Sequence, residues 1–389
     1  VKILFIAGPT KSSLFGLAPL AIATRAGGHR VVMASTAEVV PTALGIGLPA
    51  FPMTPLSFTH LMTVGRDGES LRIPADDADL STFVGHMFGR LAAAGLPALR
   101  DLVTGWRPDL IVGGPHAYAA PLLAAEFGVP CVRHLLTGNT IDREGTHPGV
   151  DEELRPELAG LGLDRVPGFD LAIDIFPAST RIDEVTPGQP VCPMRWIPTN
   201  EQGAAEPWML ARGTRRRVLV TAGSLVTRTH NFAFLSGLAR TFAALDVELV
   251  IAAPEDVGAA LRDEPGVLHA GWIPLDLIMP TCDLIVHHSG TMTALTALHA
   301  GVPQLIVPQE SRFIEWAQNL AVLGTAIMLR PGEADPELLA SAGKSLLTEA
   351  SYADAAASLA AEIAEMPLPG EILGVLEDLV AKGPACGSS

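Results

Sequence analysis

Two adjacent histidines, His287 and His288, close the apolar run CDLIVHH, and Ser289, Gly290 and Thr293 follow at once. A strand that passes this abruptly into a helix exposes the helix's first backbone N–H groups, which have no partner inside the helix and carry partial positive charge. Such a terminus stabilises a nearby anion by about 0.3–1 kcal/mol, and phosphate suits it well. Ser289 and Thr293 add hydroxyl donors, Gly290 lets an anion reach the backbone, and a histidine N–H can donate to a phosphate oxygen. The same donors favour departure of a diphosphate, on which charge grows in the transition state. A second turn of like chemistry follows the run RRVLVTAG, where Gly223 and Ser224 stand, and the two turns together can surround a diphosphate. The plainer alternative has Ser289 capping the helix and both histidines satisfied at the strand end.

Placing these turns takes short strands that alternate with helices. VKILFIAG is an apolar run ending in a Gly/Pro/Ser turn; it leads into LFGLAPLAIATRAGGH, where apolar residues recur every three or four positions until Gly27 and Gly28 stop the helix. RVVMAS, PDLIVGG and PCVRHLL are later strands, with helices expected near residues 81–105 and 117–127. The pattern then restarts with RRVLVTAG, a helix from about Asn231 to Leu245, and the strands VELVIAA, VLHAGW, CDLIVHH, PQLIVPQ and AIMLRPG. Continuously apolar strands between helices indicate parallel sheets covered on both faces. The expected architecture is therefore α/β, with two Rossmann-like doubly wound domains, residues 1–205 and 206–368, facing a central cleft. A last helix within 369–389 is expected to pack back on the first domain, ahead of a frayed tail. Ligands of open α/β sheets bind beyond the carboxyl ends of the strands, so function belongs in the turns after strands.

Composition agrees with that scheme and excludes several classes. A length of 389 residues suits two domains, and 48% hydrophobic with 17% charged residues rules out a disordered chain. A formal charge of −16 argues against a nucleic-acid partner, and the basic run Arg215, Arg216, Arg217 is expected to be a solvated boundary beside a strand. Cys131, Cys192, Cys282 and Cys386 lie far apart without a CxxC, which favours free thiols over a disulfide framework or a metal site. No apolar run reaches transmembrane length and no basic leader precedes the first strand, so the expectation is no membrane partner and a cytoplasmic protein.

The motifs LAPLAIATRAGGH, GWIPL and above all HHSGTMTALTALHAGVPQLIVP resemble the GT-B glycosyltransferases that decorate bacterial natural products, over nearly the whole chain. Within that family PDLIVGG, HPGVDEELRPEL, GLGLDRVPGFDLAIDI, EPWML and MPLP are most similar to the urdamycin-type C-glycosyltransferases. The resemblance implies an inverting, metal-independent enzyme, without a cofactor, that moves a deoxysugar from thymidine diphosphate (TDP) to an aromatic polyketide. It implies that His288, Ser289, Gly290 and Thr293 hold the diphosphate, that Ser224 faces it, and that Trp272 and Ile273 line the nucleobase slot, the backbone of Ile273 reading the base edge. Core packing is the alternative for Trp272. Related enzymes are often dimers, which leaves a homodimer open.

The pattern breaks in two places. Many relatives that glycosylate oxygen carry a histidine base in the turn after the first strand; here that turn is GPTKSSLFG and Ser13 falls at its position. One of Ser12 and Ser13 is expected to cap the helix, the other to touch the donor. Where relatives using fully hydroxylated sugars place Asp-Gln, this chain has Arg312 and Phe313. An aromatic there suits a sugar lacking hydroxyls, such as D-olivose, because unpaired polar groups in a closed site are costly; equally, Phe313 fits an apolar helix stripe with Trp316 and Leu320.

Loss of the histidine suits a carbon nucleophile, for which position behind the anomeric carbon matters more than a strong base. A carboxylate near the acceptor can take the proton; Asp142 is the first candidate and Glu144 the second, with solvated loop charges as the alternative. His60 and His134 are acceptor-side candidates that serve equally well as structural histidines. O-glycosylation with the same donor, nucleotide-sugar epimerisation, and a silent partner subunit are the competing functions.

Overall fold

A computed structural model describes residues 1–74, 76–136, 146–181, 189–224, 231–330 and 332–384, without the side chains of Asp77, Ala78 and Arg312. The chain divides into two compact units: Val1–Ile175 with Asp183–Arg195 and Pro367–Ser389, and Phe176–Ile182 with Trp196–Met366.

The first unit carries a seven-stranded sheet of β1 (Lys2–Ile6), β2 (Arg30–Thr36), β3 (Ala50–Thr54), β4 (Leu110–Gly113), β5 (Cys131–His134), β6 (Leu171–Asp174) and β7 (Val191–Pro193), in the order β3-β2-β1-β4-β5-β6-β7. Its neighbouring pairs are all parallel. The longer helices around it are α1 (Lys11–Ala26), α2 (Asp77–Trp106) and α3 (Ala119–Phe127). The second unit holds β8 (Arg216–Thr221), β9 (Val247–Ala252), β10 (Val267–Gly271), β11 (Leu284–His287), β12 (Gln304–Ile306) and β13 (Ala326–Met328), in the order β10-β9-β8-β11-β12-β13, again all parallel. Its longer helices are α4 (Phe232–Ala243), α5 (Thr291–Ala300), α6 (Ile314–Val322), α7 (Pro336–Thr348) and α8 (Ala350–Glu365); α9 (Leu373–Lys382) belongs to the first unit.

Successive strand residues point to opposite faces, and both faces here are dry. In the second unit Val218, Val220, Leu249, Ile251, Leu284 and Val286 enter one core cluster. Their alternates Leu219, Val250, Ala252 and Ile285 enter another. The strand order reverses between β1 and β4 in one sheet and between β8 and β11 in the other. At such a point the following helices leave on opposite faces, opening a crevice beyond the carboxyl ends.

Helix α1 starts on a capping box. The Thr10 hydroxyl accepts from the Ser13 N–H at 3.3 Å, and the Ser13 hydroxyl accepts from the Thr10 N–H at 3.3 Å while donating to the Thr10 carbonyl at 2.7 Å. Helix α9 lies against α1: a side chain at Gly27 would meet Leu373, and His29 Nε2 is 3.2 Å from Glu377. The basic run beside β8 departs from the expected solvated boundary. Arg215 and Arg216 are exposed, but Arg217 is 2% exposed. Its guanidinium donates to Glu248 at 3.0 Å and to the carbonyls of Trp208 and Ala211, both at 3.1 Å. A charge this deep is tolerated because every arm of the guanidinium fork has a partner.

Replacing Arg217 strands Glu248 beside the core, so Arg217→Ala is expected to cost about 3–5 kcal/mol in urea unfolding of the second unit. A loss below about 1 kcal/mol, the range of surface pairs, would show that the pair is effectively solvated.

Candidate functional site

The turn after β11 begins with a buried imidazole. His287 is fully buried; its Nε2 lies 2.9 Å from Gln304 Oε1 on the neighbouring strand, and its Nδ1 accepts from the Ser289 backbone N–H at 3.2 Å. A nitrogen that accepts cannot carry the proton, so the neutral ring is protonated on Nε2 and donates to Gln304. Burial, and then the neighbouring His288, push its pKa down to about 3 against the opposing Gln304 bond. Ser289 takes a φ of +76°, the left-handed region that costs a non-glycine residue about 1–3 kcal/mol. Two hydrogen bonds hold it there: its N–H to His287 and its hydroxyl to the Phe313 carbonyl at 3.3 Å.

That turn directs the next imidazole outward. His288 is half-buried, and its ring lies between two glycines from neighbouring turns. A methyl on Gly223, after β8, would stand 2.6 Å from His288 Cε1; one on Gly290 would stand 2.9 Å from Cε1 and Nε2. Gly223 also has a φ of +84°, closed to most side chains, and its N–H donates to Thr221 Oγ1 at 3.1 Å. Burial lowers the His288 pKa to about 4, while the Glu310 carboxylate and the Thr221 carbonyl pull it upward. The ring is therefore neutral at physiological pH and carries a single N–H.

Helix α5 begins beside it on Gly290, which has no side chain to offer as a cap. Among the described residues, no side chain accepts from the first-turn N–H groups of Thr291, Met292 and Thr293. Thr293 is 9% exposed, and its hydroxyl lies 3.6 Å from where a Gly290 side chain would begin. An exposed Ser224 follows Gly223. Helix-start amides that accept no side-chain cap among the described residues, a neutral imidazole and two bare glycines thus converge at the β8/β11 switch point, a geometry that accepts a diphosphate.

Beyond β10, Trp272 is half-buried; its indole N–H donates to the Glu201 carbonyl at 3.3 Å and its backbone N–H to Glu255 at 3.3 Å. Ile273 is 4% exposed and packs in the core. Among the described residues its backbone N–H and C=O carry no hydrogen bond, which leaves them available to a base edge.

Several sequence expectations need correction. The Ser289 hydroxyl is not presented to an anion, because the side chain is fully buried and bonded to Phe313. Nor does Ser289 cap α5, whose N-cap is Gly290. Ser13 does not stand as a free catalytic hydroxyl, being closed into the capping box with Thr10, while Ser12 is exposed in the first turn. His134 ends β5 fully buried, its Nδ1 3.1 Å from the Leu135 carbonyl and its pKa lowered to about 4 by burial, so it does not line an open acceptor surface. His60 is exposed on the short helix Phe58–Thr63. Phe313 is half-buried just before α6, whereas Trp316 and Leu320 are in the core. Arg312 sits in the one-turn helix Ser311–Phe313, and Asp142 and Glu144 lie outside the described residues.

Sequence reasoning missed Gln304, the polar opening of an otherwise apolar strand, whose one signal was that polarity. It also missed His116, three residues after β4 in a turn that the strand-end rule should have flagged, and its neighbour His147.

Comparison with known proteins places the chain among sugar-transferring enzymes. Family profiles described as erythromycin biosynthesis protein CIII-like match residues 22–223 with the N-terminal domain and 237–379 with the C-terminal domain. The L-demethylnoviosyl transferase of Streptomyces niveus is 32% identical over 377 residues, 96% of each chain. The elloramycin glycosyltransferase ElmGT of Streptomyces olivaceus is 30% identical, also over 96% of each chain. The Streptomyces sp. SF2575 glycosyltransferase SsfS6, complexed with thymidine diphosphate, superposes with a TM-score of 0.83 at 31% identity over 97% of this chain and 99% of that one.

The buried imidazoles give the fold an acid limit. His134, His287 and His288 have folded pKa values of about 4, 3 and 4, below the unfolded value of about 6.5. The unfolded chain therefore binds more protons below pH about 6.5, and stability, complete above that pH, falls as pH drops toward 4. Each histidine is expected to add a slope of up to about 1.4 kcal/mol per pH unit in urea-denaturation series. His287→Gln should flatten the slope by about one proton; an unchanged slope would mean that this imidazole is not held neutral.

Proposed function

Because the chain belongs to the erythromycin biosynthesis protein CIII-like family of GT-B glycosyltransferases, we propose that it transfers a deoxysugar from a TDP donor to an aromatic polyketide, with inversion at the anomeric carbon. The observation that carries this reading is the neutral His288 ring between Gly223 and Gly290 at the uncapped start of α5. As the nucleophile bonds to the anomeric carbon, the electron pair of the breaking C–O bond passes to the diphosphate. The amides of Thr291 to Thr293 and the His288 N–H receive that charge, with no divalent cation in the scheme. Trp272 and the Ile273 backbone take the thymine, Ser224 and the Thr293 hydroxyl take phosphate oxygens, and the half-buried Phe313 faces a sugar poor in hydroxyls. The complex of SsfS6 with thymidine diphosphate supports the donor class.

The bond formed is proposed to be a C-glycoside. With Ser13 committed to the capping box, the turn after β1 offers no base for an acceptor hydroxyl, which favours a phenolate whose ortho carbon attacks. Asp142, then Glu144, remain the proposed proton acceptors. Transfer to oxygen of an acidic phenol uses the same donor site, and acid hydrolysis separates the two: a C-linked sugar survives heating that releases an O-linked deoxysugar. Release of the sugar from the product would overturn the C-glycoside.

Gly290→Ala pushes a methyl into the His288 ring, and calorimetric titration with TDP is expected to show affinity lowered by about tenfold or more. His288→Ala is expected to lower kcat by about 100-fold, the usual cost of losing one oxyanion donor. Unchanged TDP affinity in the first variant, or unchanged kcat in the second, would remove the diphosphate from this turn.

A further inference from the structure

The switch point of the first unit lies between β1 and β4. His116 follows β4 in the turn to α3, half-buried, with its ring stacked on Phe88 of α2 at a centroid distance of 4.1 Å and an interplanar angle of 21°. His147, also half-buried, meets His116 edge to face at 5.1 Å and 67°, and lies 6.0 Å from Phe88. The three rings thus pack on one another as one platform, with Phe88 buried behind the two half-buried imidazoles. Two of them carry nitrogen, and both of those are partly open to solvent.

The platform is held from behind. Gly85 and Gly89 face the same side of α2, one turn apart, and leave its backbone bare. A side chain at Gly85 would run into the Pro148 carbonyl, and one at Gly89 would stand 2.7 Å from Glu153 Cβ, so the segment bearing His147 rests on the helix itself. The buried Tyr118 hydroxyl accepts from the His147 backbone N–H at 2.9 Å. Glu153 ties the segment down through His86 Nδ1 at 3.2 Å and Arg90 Nη1 at 3.5 Å, and its carbonyl accepts from Arg66 at 2.8 Å. The charged groups beside the platform are Arg90 on α2 and Glu152 and Glu153 on the short helix Val150–Glu153, with the imidazole of His86 between them.

We infer that the His116–His147 pair, backed by Phe88, is the acceptor-side binding site for a planar phenol and holds it as its phenolate. The flat ring stacks along the platform, and an imidazole N–H donates to the phenolate oxygen, which favours the charged form. The phenolic O–H bond breaks and its proton passes to solvent, so no further reactant is required. This rests on the glycosyltransferase reading and adds to it the residues that meet the acceptor; neither histidine is a proton acceptor here, and both act on the phenol directly.

The test uses 2-hydroxyanthraquinone, a planar phenol whose anion absorbs at longer wavelength, titrated into the full chain at a pH where the free dye is neutral. The expected result is saturable binding with the anion band, the bound dye's pKa lowered by about one unit, a tenfold change in its acid constant. In His116→Phe, which keeps the stacking on Phe88, and in His147→Phe, which keeps the edge-to-face packing, the band should be lost while the thermal midpoint and TDP affinity hold. Retention of the band in both variants, or its absence in the wild type, would overturn the inference. A wild type that binds the dye as its anion but not TDP would overturn the donor reading alone.

Discussion

A buried neutral imidazole sets the geometry on which the rest of the donor site depends. His287 has no access to water, so its two nitrogens must be satisfied internally, one as donor and one as acceptor. Gln304 takes the donor and the Ser289 N–H fills the acceptor. The second of these bonds holds Ser289 in the left-handed conformation, and the reversal there brings His288 out between two glycines and starts α5 without a cap. Protonating His287 would require Nδ1 to carry hydrogen toward another N–H. The constraint is therefore electrostatic as well as steric, and it explains why two adjacent histidines have opposite fates.

The division of labour extends to each sheet. In both units the strand order reverses once, and the chemistry-bearing turns gather where it does: Gly223 and His288 beyond β8 and β11, His116 beyond β4. The sheet cores supply rigidity through alternate residues buried on both faces, and the turns need only local hydrogen bonds to be precise. Glycine does different work at different places. At Gly223 and Gly290 its bareness admits the imidazole, while at Gly85 and Gly89 it admits a whole chain segment.

Much of the fold was legible because its signals are local. Apolar runs ending in Gly, Ser or Pro gave every strand that flanks the site, and the helix expected near residues 81–105 is α2, Asp77–Trp106. The location of the diphosphate turn was legible for the same reason, since a strand end followed by Ser-Gly and a helix is a local pattern. What escaped depends on partners far away in sequence. Periodicity cannot say which of His287 and His288 meets Gln304, and nothing local reveals that Ser289 spends its hydroxyl on Phe313, 24 residues on. Arg217 looked like part of a solvated run because its partners Glu248, Trp208 and Ala211 come together only in three dimensions. Thr10, two residues ahead of Ser12, caps α1, so the helix starts earlier than its serines suggest.

The most direct measurement is an electron-density map of the chain crystallised with TDP. The outer phosphate is expected within hydrogen-bonding distance of the Thr291, Met292 and Thr293 amides and of the His288 ring, with the Ser289 hydroxyl still turned to Phe313. A diphosphate bound away from Gly290, or a His288 ring directed into the core with the nucleotide present, would contradict it.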